Sequence, residues 1–264
     1  MNFSLWYIDP LTDWPPWIVA TLFFGPLVFG AIIYFYFTRH ARSWRKGIFP
    51  NTLKPNDDNL LEAYLALASR LMLLNPKSLK GKTQFINEYF NRYFKLSNYN
   101  FGDSLVFSLK YPIKEETVTD WINNNWTKDS MRVQLIYFLV GLAIQTEKLT
   151  PRELIFIQEI NSKLGFTADN LNRIIAIYTT YYEEKQQQEK PSSLFVHSKK
   201  SFLSVLGLKE NYSQSDLKTA YRSMAKLHHP DNYATESEAQ QKIAEEKFIQ
   251  IQKAYEYLLD KRKV

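Results

Sequence analysis

The segment Trp17–Phe37, WIVATLFFGPLVFGAIIYFYF, contains no charged residue. A helix needs about 20 apolar residues to cross the ~30 Å hydrocarbon core of a bilayer, so the run is long enough to span one. Gly25 and Pro26 lie in mid-run, where membrane helices tolerate them. Trp14, Trp17, Tyr34 and Tyr36 fall near its ends, the level at which amphipathic rings favour the interface. The rival reading is a cleaved signal peptide, which has an early positive charge, a shorter apolar core and a small-residue cleavage site. Here the preceding residues hold Asp9 and Asp13 and neither Lys nor Arg, and the run ends in bulky aromatics. The expectation is a retained transmembrane helix over 17–37.

Charge then sets direction. Arg39, Arg42, Arg45 and Lys46 follow the run directly, and positive loops stay in the cytoplasm. The expected order is a short extracytoplasmic N-terminus (1–16), the span, a basic juxtamembrane linker (38–55) and a cytoplasmic bulk. The basic cluster either marks topology alone or also meets anionic lipid headgroups. Thr21 and Gly25 form a small-xxx-small pair through which two spans would pack as a homodimer.

Residues 56–183 read as one all-helical domain. LLEAYLALASRLMLL (Leu60–Leu74) is strongly apolar, and QFINEYFNRYF (Gln84–Phe94) sets Phe85, Tyr89 and Tyr93 on one helical face. MRVQLIYFLVGLAIQ (Met131–Gln145) is apolar almost throughout. It is too short to span and carries Arg132, so it predicts a buried central helix. Thr150, Pro151 and Glu153 spell a capped helix start. Gly165 reads as a helix stop and Thr167 as the next start. The chain has no cysteine, which removes disulfides, thiol catalysis and thiolate zinc sites. No histidine lies between His40 and His197, and no nucleophile–base pair suggests an enzyme.

Residues 184–199, with the glutamine-rich EEKQQQEKPSS, read as a polar linker. The last segment, 200–264, is compact. Ser201–Leu208 is a short apolar helix that stops near Gly207. Ser213 and Asp216 form a capping box. They open a helix with Leu217, Ala220, Tyr221, Met224 and Ala225 on one face and Lys218, Arg222 and Lys226 on the other. Same-face cations repel, so either solvent or an acidic partner stands before them. Pro230 ends this helix after His228 and His229. A long helix follows from Glu236 to Asp260, its core face set by Ile243, Phe248, Ile251, Ala254, Tyr255 and Leu258. His-His-x-Asp offers poor zinc geometry, with adjacent ligands and no thiols, and a catalytic His–Asp pair here lacks a nucleophile.

Leu206-Gly207, Ala220-Tyr221-Arg222, His229-Pro230-Asp231, Lys247-Phe248 and Ala254-Tyr255-Glu256, in this order and register, resemble a J domain. The resemblance implies an antiparallel helical hairpin with a short flanking helix, which docks on a DnaK-type ATPase chaperone and triggers its ATP hydrolysis without doing chemistry itself. It implies that Asp231 accepts hydrogen bonds from a chaperone arginine, held outward by His229 and Pro230. Lys218, Arg222 and Lys226 would meet an acidic chaperone surface, with Tyr221 on the same docking helix. His228 stands where many J domains carry an aromatic, a packing position.

The stretch Leu142–Thr167 resembles the second half of a TerB-like helical domain. Thr146 and Glu147 replace the Asp-Gly pair linked to metal binding there, which argues against a metal. Anchor, TerB-like middle and J domain together are similar to the DjlA group of membrane-anchored bacterial J proteins. That implies a single-pass protein of the inner (cytoplasmic) membrane, with membrane lipid and an unidentified membrane-proximal client as partners and no cofactor. The glycine-phenylalanine stretch and cysteine-rich zinc module of general J proteins are missing. The alternative is a membrane scaffold assembled by the middle domain, with a J-like docking tail. Nucleic-acid binding rests only on the net charge of +6. The cations lie beside the span and on one helix, without interleaved aromatics, so none is expected.

Overall fold

The computed structural model describes residues 15–76, 79–94, 99–145, 149–188 and 199–260, and these fold as helices and connecting turns without a strand. Trp14, the acidic residues before it, Thr146, Glu147 and residues 189–198 of the linker lie outside the described residues.

Helix α1 (Pro16–Phe37) covers the uncharged run, and Leu22, Phe23, Phe24, Leu27 and Phe29 along it are all exposed. Among the described residues, no single helix is long and apolar enough to cross a membrane. Ala20–Tyr36 and Arg39–Arg45 pass that test only together, as a pair bent by 53°. The second member is helix α2 (Arg39–Arg45). The segment 38–55 is therefore more than the linker expected. Trp44 and Phe49 are buried, with ring centroids 5.3 Å apart, and Phe49 lies 5.0 Å from Trp121. Two large rings in a basic stretch bury themselves in the core because that removes apolar area from water at about 25 cal/mol per Å².

The middle of the chain comprises α3 (Asp57–Leu74), α4 (Leu79–Tyr93), α5 (Phe101–Lys110), α6 (Glu115–Asn125), α7 (Asp129–Ile144), α8 (Pro151–Lys163) and α9 (Ala168–Gln188). α7 is the central helix, buried on every side from Val133 to Ala143. Its neighbours include α3, α4, α8 and α9. The local signals act as written in the sequence. Thr150 and Glu153 form the reciprocal capping box at the start of α8. Gly165 takes φ +85° after its end, where Asn161 Nδ2 donates to the carbonyls of Phe166 and Thr167. α9 runs on through Gln188, so the first residues of the expected linker continue that helix.

A buried ion pair joins two of these elements. Lys82 of α4 donates to Glu153 of α8, and both side chains are fully buried. Burial pushes the Glu153 carboxyl up. Lys82, the Thr150 hydroxyl and the Thr150 backbone N–H more than offset this and hold it below the usual carboxylate range.

The C-terminal segment holds α10 (Lys199–Leu206), α11 (Gln214–His228), a 3-10 turn (Pro230–Tyr233) and α12 (Glu238–Asp260). α11 and α12 form the hairpin and α10 packs across both. Ser213 and Asp216 make the capping box of α11. Gly207 ends α10 with φ +66°, and a Cβ there would lie 2.4 Å from Arg173 Nε of α9. Only glycine satisfies both the left-handed backbone and that approach. Gly207→Ala is expected to cost about 1–2 kcal/mol in backbone strain alone, because the near atoms of Arg173 are the far end of a flexible side chain that can move aside. Thermal unfolding of Gly207→Ala with and without Arg173→Ala checks this: the second change should restore little of the loss.

Candidate functional site

His229-Pro230-Asp231 stands at the turn between α11 and α12. His229 is the cap residue of the 3-10 turn, its Nδ1 accepting from Asp231 N at 3.3 Å. Its ring meets Phe248 of α12 edge-on, centroids 5.7 Å apart. Asn232 Nδ2 donates back to the Lys226 carbonyl. These ties hold the turn while the Asp231 side chain stays 89% exposed. Its carboxylate lies 3.4 Å from His229 Nδ1 on one side, and its exposed side can accept charge-assisted hydrogen bonds from a partner.

Lys218, Arg222 and Lys226 are exposed along α11, and none is ion-paired to a described residue. They lead toward the turn and give a cationic face with one acidic tip. Tyr221 differs from them. It is half-buried and stacks on Tyr255 of α12 with centroids 4.4 Å apart, fixing α11 against α12.

His228 and His229 diverge. His228 is 1% exposed, and its Nε2 shares a 3.0 Å hydrogen bond with the Tyr137 hydroxyl of α7. Burial and the nearby Lys247 ammonium push its imidazole down to about 3, so it is neutral. One histidine is sealed inside and the other capped on the turn, so they do not share a metal.

That contact belongs to a larger seam that the sequence reading missed. The second face of α12, with Ala239, Gln240, Ala244 and Lys247, is buried as well as the first. Gln134 of α7 donates to the Gln240 carbonyl at 3.0 Å. Glu246 pairs with Arg92 at 2.8 Å and accepts from the Tyr93 hydroxyl. The Lys247 ammonium lies 4.4 Å from the Tyr178 ring centroid and 5.2 Å from that of Tyr137. Burial pushes this lysine down to about 8; Glu246 opposes the change and Arg92 adds to it. Tyr233, the last residue of the turn, is fully buried and donates to the Ser130 carbonyl at 2.6 Å. The turn is thus pinned from two sides, by Phe248 within its own hairpin and by Ser130 of the middle domain. One signal of this was present in the sequence: a helix apolar all round needs cover on every side, and α11 and α12 supply part of it for α7.

The DnaJ domain family model matches residues 201–264. Residues 201–264 form a DnaJ domain. Over 66 residues this segment is 44% identical to "Chaperone protein DnaJ" of Fusobacterium nucleatum subsp. nucleatum, covering 25% of this chain and 17% of that protein. It is 43% identical over 65 residues to the Mycoplasma genitalium protein of the same description, with the same shares of the two chains. The Thermosipho melanesiensis protein shares 42% over 67 residues, again 25% and 17%. The matched region therefore spans about 17% of the length of these relatives. No solved structure matches the chain.

Proposed function

We propose that this chain is a membrane-anchored cochaperone that recruits a DnaK-type ATPase and stimulates its ATP hydrolysis through His229-Pro230-Asp231. The hydrolysis takes place in the partner; this chain supplies the docking surface. The observation that carries the reading is the exposed Asp231 carboxylate on a braced turn, inside a segment that matches the DnaJ domain. An arginine of the partner would close on Asp231. Lys218, Arg222 and Lys226 would raise the encounter rate with an acidic surface.

α1 reaches the length and composition of a span only together with α2, across a 53° bend. The uncharged, exposed surface of α1 and the Arg39, Arg42 and Arg45 that follow support reading this region as a single-pass anchor in a bacterial inner membrane, N-terminus outside. Residues 56–183 are read as a TerB-like domain that brings a membrane-proximal client within reach, as in the DjlA group.

Single-turnover ATP hydrolysis by the DnaK-type chaperone of the same organism tests this, using the full chain in detergent. Asp231→Asn keeps the shape and removes the charge. Losing one partner of a desolvated charge pair costs about 2–5 kcal/mol, so stimulation should fall at least about tenfold. Stimulation that survives Asp231→Asn would leave the scaffold as the better account.

A further inference from the structure

A small cleft opens where α12 of the J domain meets α4 and α9 of the helical body. Its volume is about 290 Å³, at the small end of ligand sites, which run from about 300 to 1,000 Å³. Phe85 and Tyr89 of α4, Ile177 and Tyr178 of α9 and Lys247 of α12 are among the residues that line it. The Phe85 and Tyr89 rings lie 5.6 Å apart, centroid to centroid.

Lys247 is the group these walls leave unanswered. It is 7% exposed, and its ammonium stands over the Tyr178 ring of the same cleft. Among the described residues, none forms an ion pair or hydrogen bond with that ammonium. Glu246, its neighbour in the chain, is taken up by Arg92 and the Tyr93 hydroxyl. The Lys247 Nζ keeps accessible surface, unlike the Tyr89 hydroxyl and Gln250 Oε1, which are sealed and unpartnered. Aromatic faces attract a cation but carry no counter-charge, and a buried ammonium without one is costly. An anion entering the cleft would supply it through a charge-assisted hydrogen bond, in surroundings poor in water.

The other lining groups narrow the anion. Ring faces and the Ile177 side chain suit a planar apolar body. The small volume suits a single substituted ring. The carboxylates of Glu88 and Glu246 also line the cleft and disfavour a dianion such as a phosphate ester.

We propose that this cleft binds an aromatic monocarboxylate, its carboxylate on the Lys247 ammonium and its ring against Phe85, Tyr89 and Tyr178. Bound there, it joins α12 to the helical body and clamps the J domain in place. The proposal uses neither the membrane anchor nor the ATPase partner, so the failure of either leaves it standing.

Hydrogen exchange of the full chain in detergent tests it, with benzoate as the probe and benzyl alcohol as its uncharged counterpart. Benzoate at ten times its dissociation constant should slow exchange of the α12 amides by about tenfold, while those of α3 change little. Benzyl alcohol at the same concentration should leave α12 unchanged. Lys247→Met places an uncharged side chain of similar length among the rings. It should keep the protection of α12 and lose the response to benzoate. Equal slowing by benzyl alcohol overturns the site, because no charge is then being read. No slowing with about 10 mM benzoate, weaker than ordinary small-ligand affinities, also overturns it, as does slowing that survives Lys247→Met. A Lys247→Met chain that loses α12 protection before any probe is added makes the lysine a structural brace and removes it as a binding group.

Discussion

Lys82→Met is expected to destabilise the folded chain by about 3–5 kcal/mol, because it leaves the buried Glu153 carboxylate without its cation. The thermal midpoint should fall on the order of 10 °C. Glu153 keeps its Thr150 partners, but two capping bonds do not replace a full charge. Adding Glu153→Gln removes the second charge, keeps an oxygen for the capping box and should recover most of the loss. The pH dependence gives a second check. Glu153 is depressed in the folded state. Its contribution is present above the unfolded carboxyl pKa and is lost as pH falls through the folded value. In Lys82→Met that carboxyl rises, so protonation relieves the strain. The gap between variant and wild type should be widest near neutrality and shrink toward acid. A gap that stays constant with pH, or a double variant no better than the single, would remove the ion pair from this account.

The second large effect concerns His228. Its folded pKa of about 3 lies below its ordinary 6.5, so between those values the unfolded chain binds a proton that the folded chain does not. Stability therefore falls as the pH drops below 6.5, by about 1.4 kcal/mol per unit. By pH 5 the loss is on the order of 2 kcal/mol. A charged imidazole would sit beside the Lys247 ammonium, between α7 and α12, so this seam should open first. Hydrogen exchange of the full chain at pH 7 and pH 5 reads it directly: the amides of α11 and α12 should lose protection relative to those of α3. His228→Phe gives up the Tyr137 hydrogen bond, about 1 kcal/mol at neutral pH, and should remove the acid-specific opening. The same acid response in His228→Phe would assign it to other groups.

The sequence disclosed the ends of helices better than their second faces. Thr150 with Glu153, Ser213 with Asp216, and Gly165 are local devices, complete within a few residues, and each is found at its place. The hairpin core was equally legible, since Ile243, Ile251, Ala254 and Leu258 recur at helical spacing. The face of α12 with Gln240 and Lys247 was not. Its burial is satisfied by polar and cation–ring contacts with Gln134, Tyr137 and Tyr178, which leave no apolar stripe. Lys82 and Glu153 lie 71 residues apart, and each alone looks like an ordinary surface charge. The His-Pro-Asp turn was visible as a motif. The burial of Tyr233 beneath it, which ties that turn to Ser130, follows only from the tertiary contact.

The seam also changes what kind of arm this is. A J domain on a loose tether samples a volume set by the length of its chain. Here α10 lies against α9, and α12 against α4 and α7, so the turn is carried at a fixed bearing on the helical body. An ATPase that grips Asp231 would be aimed as well as captured, and whatever the helical body holds would meet it from one direction only.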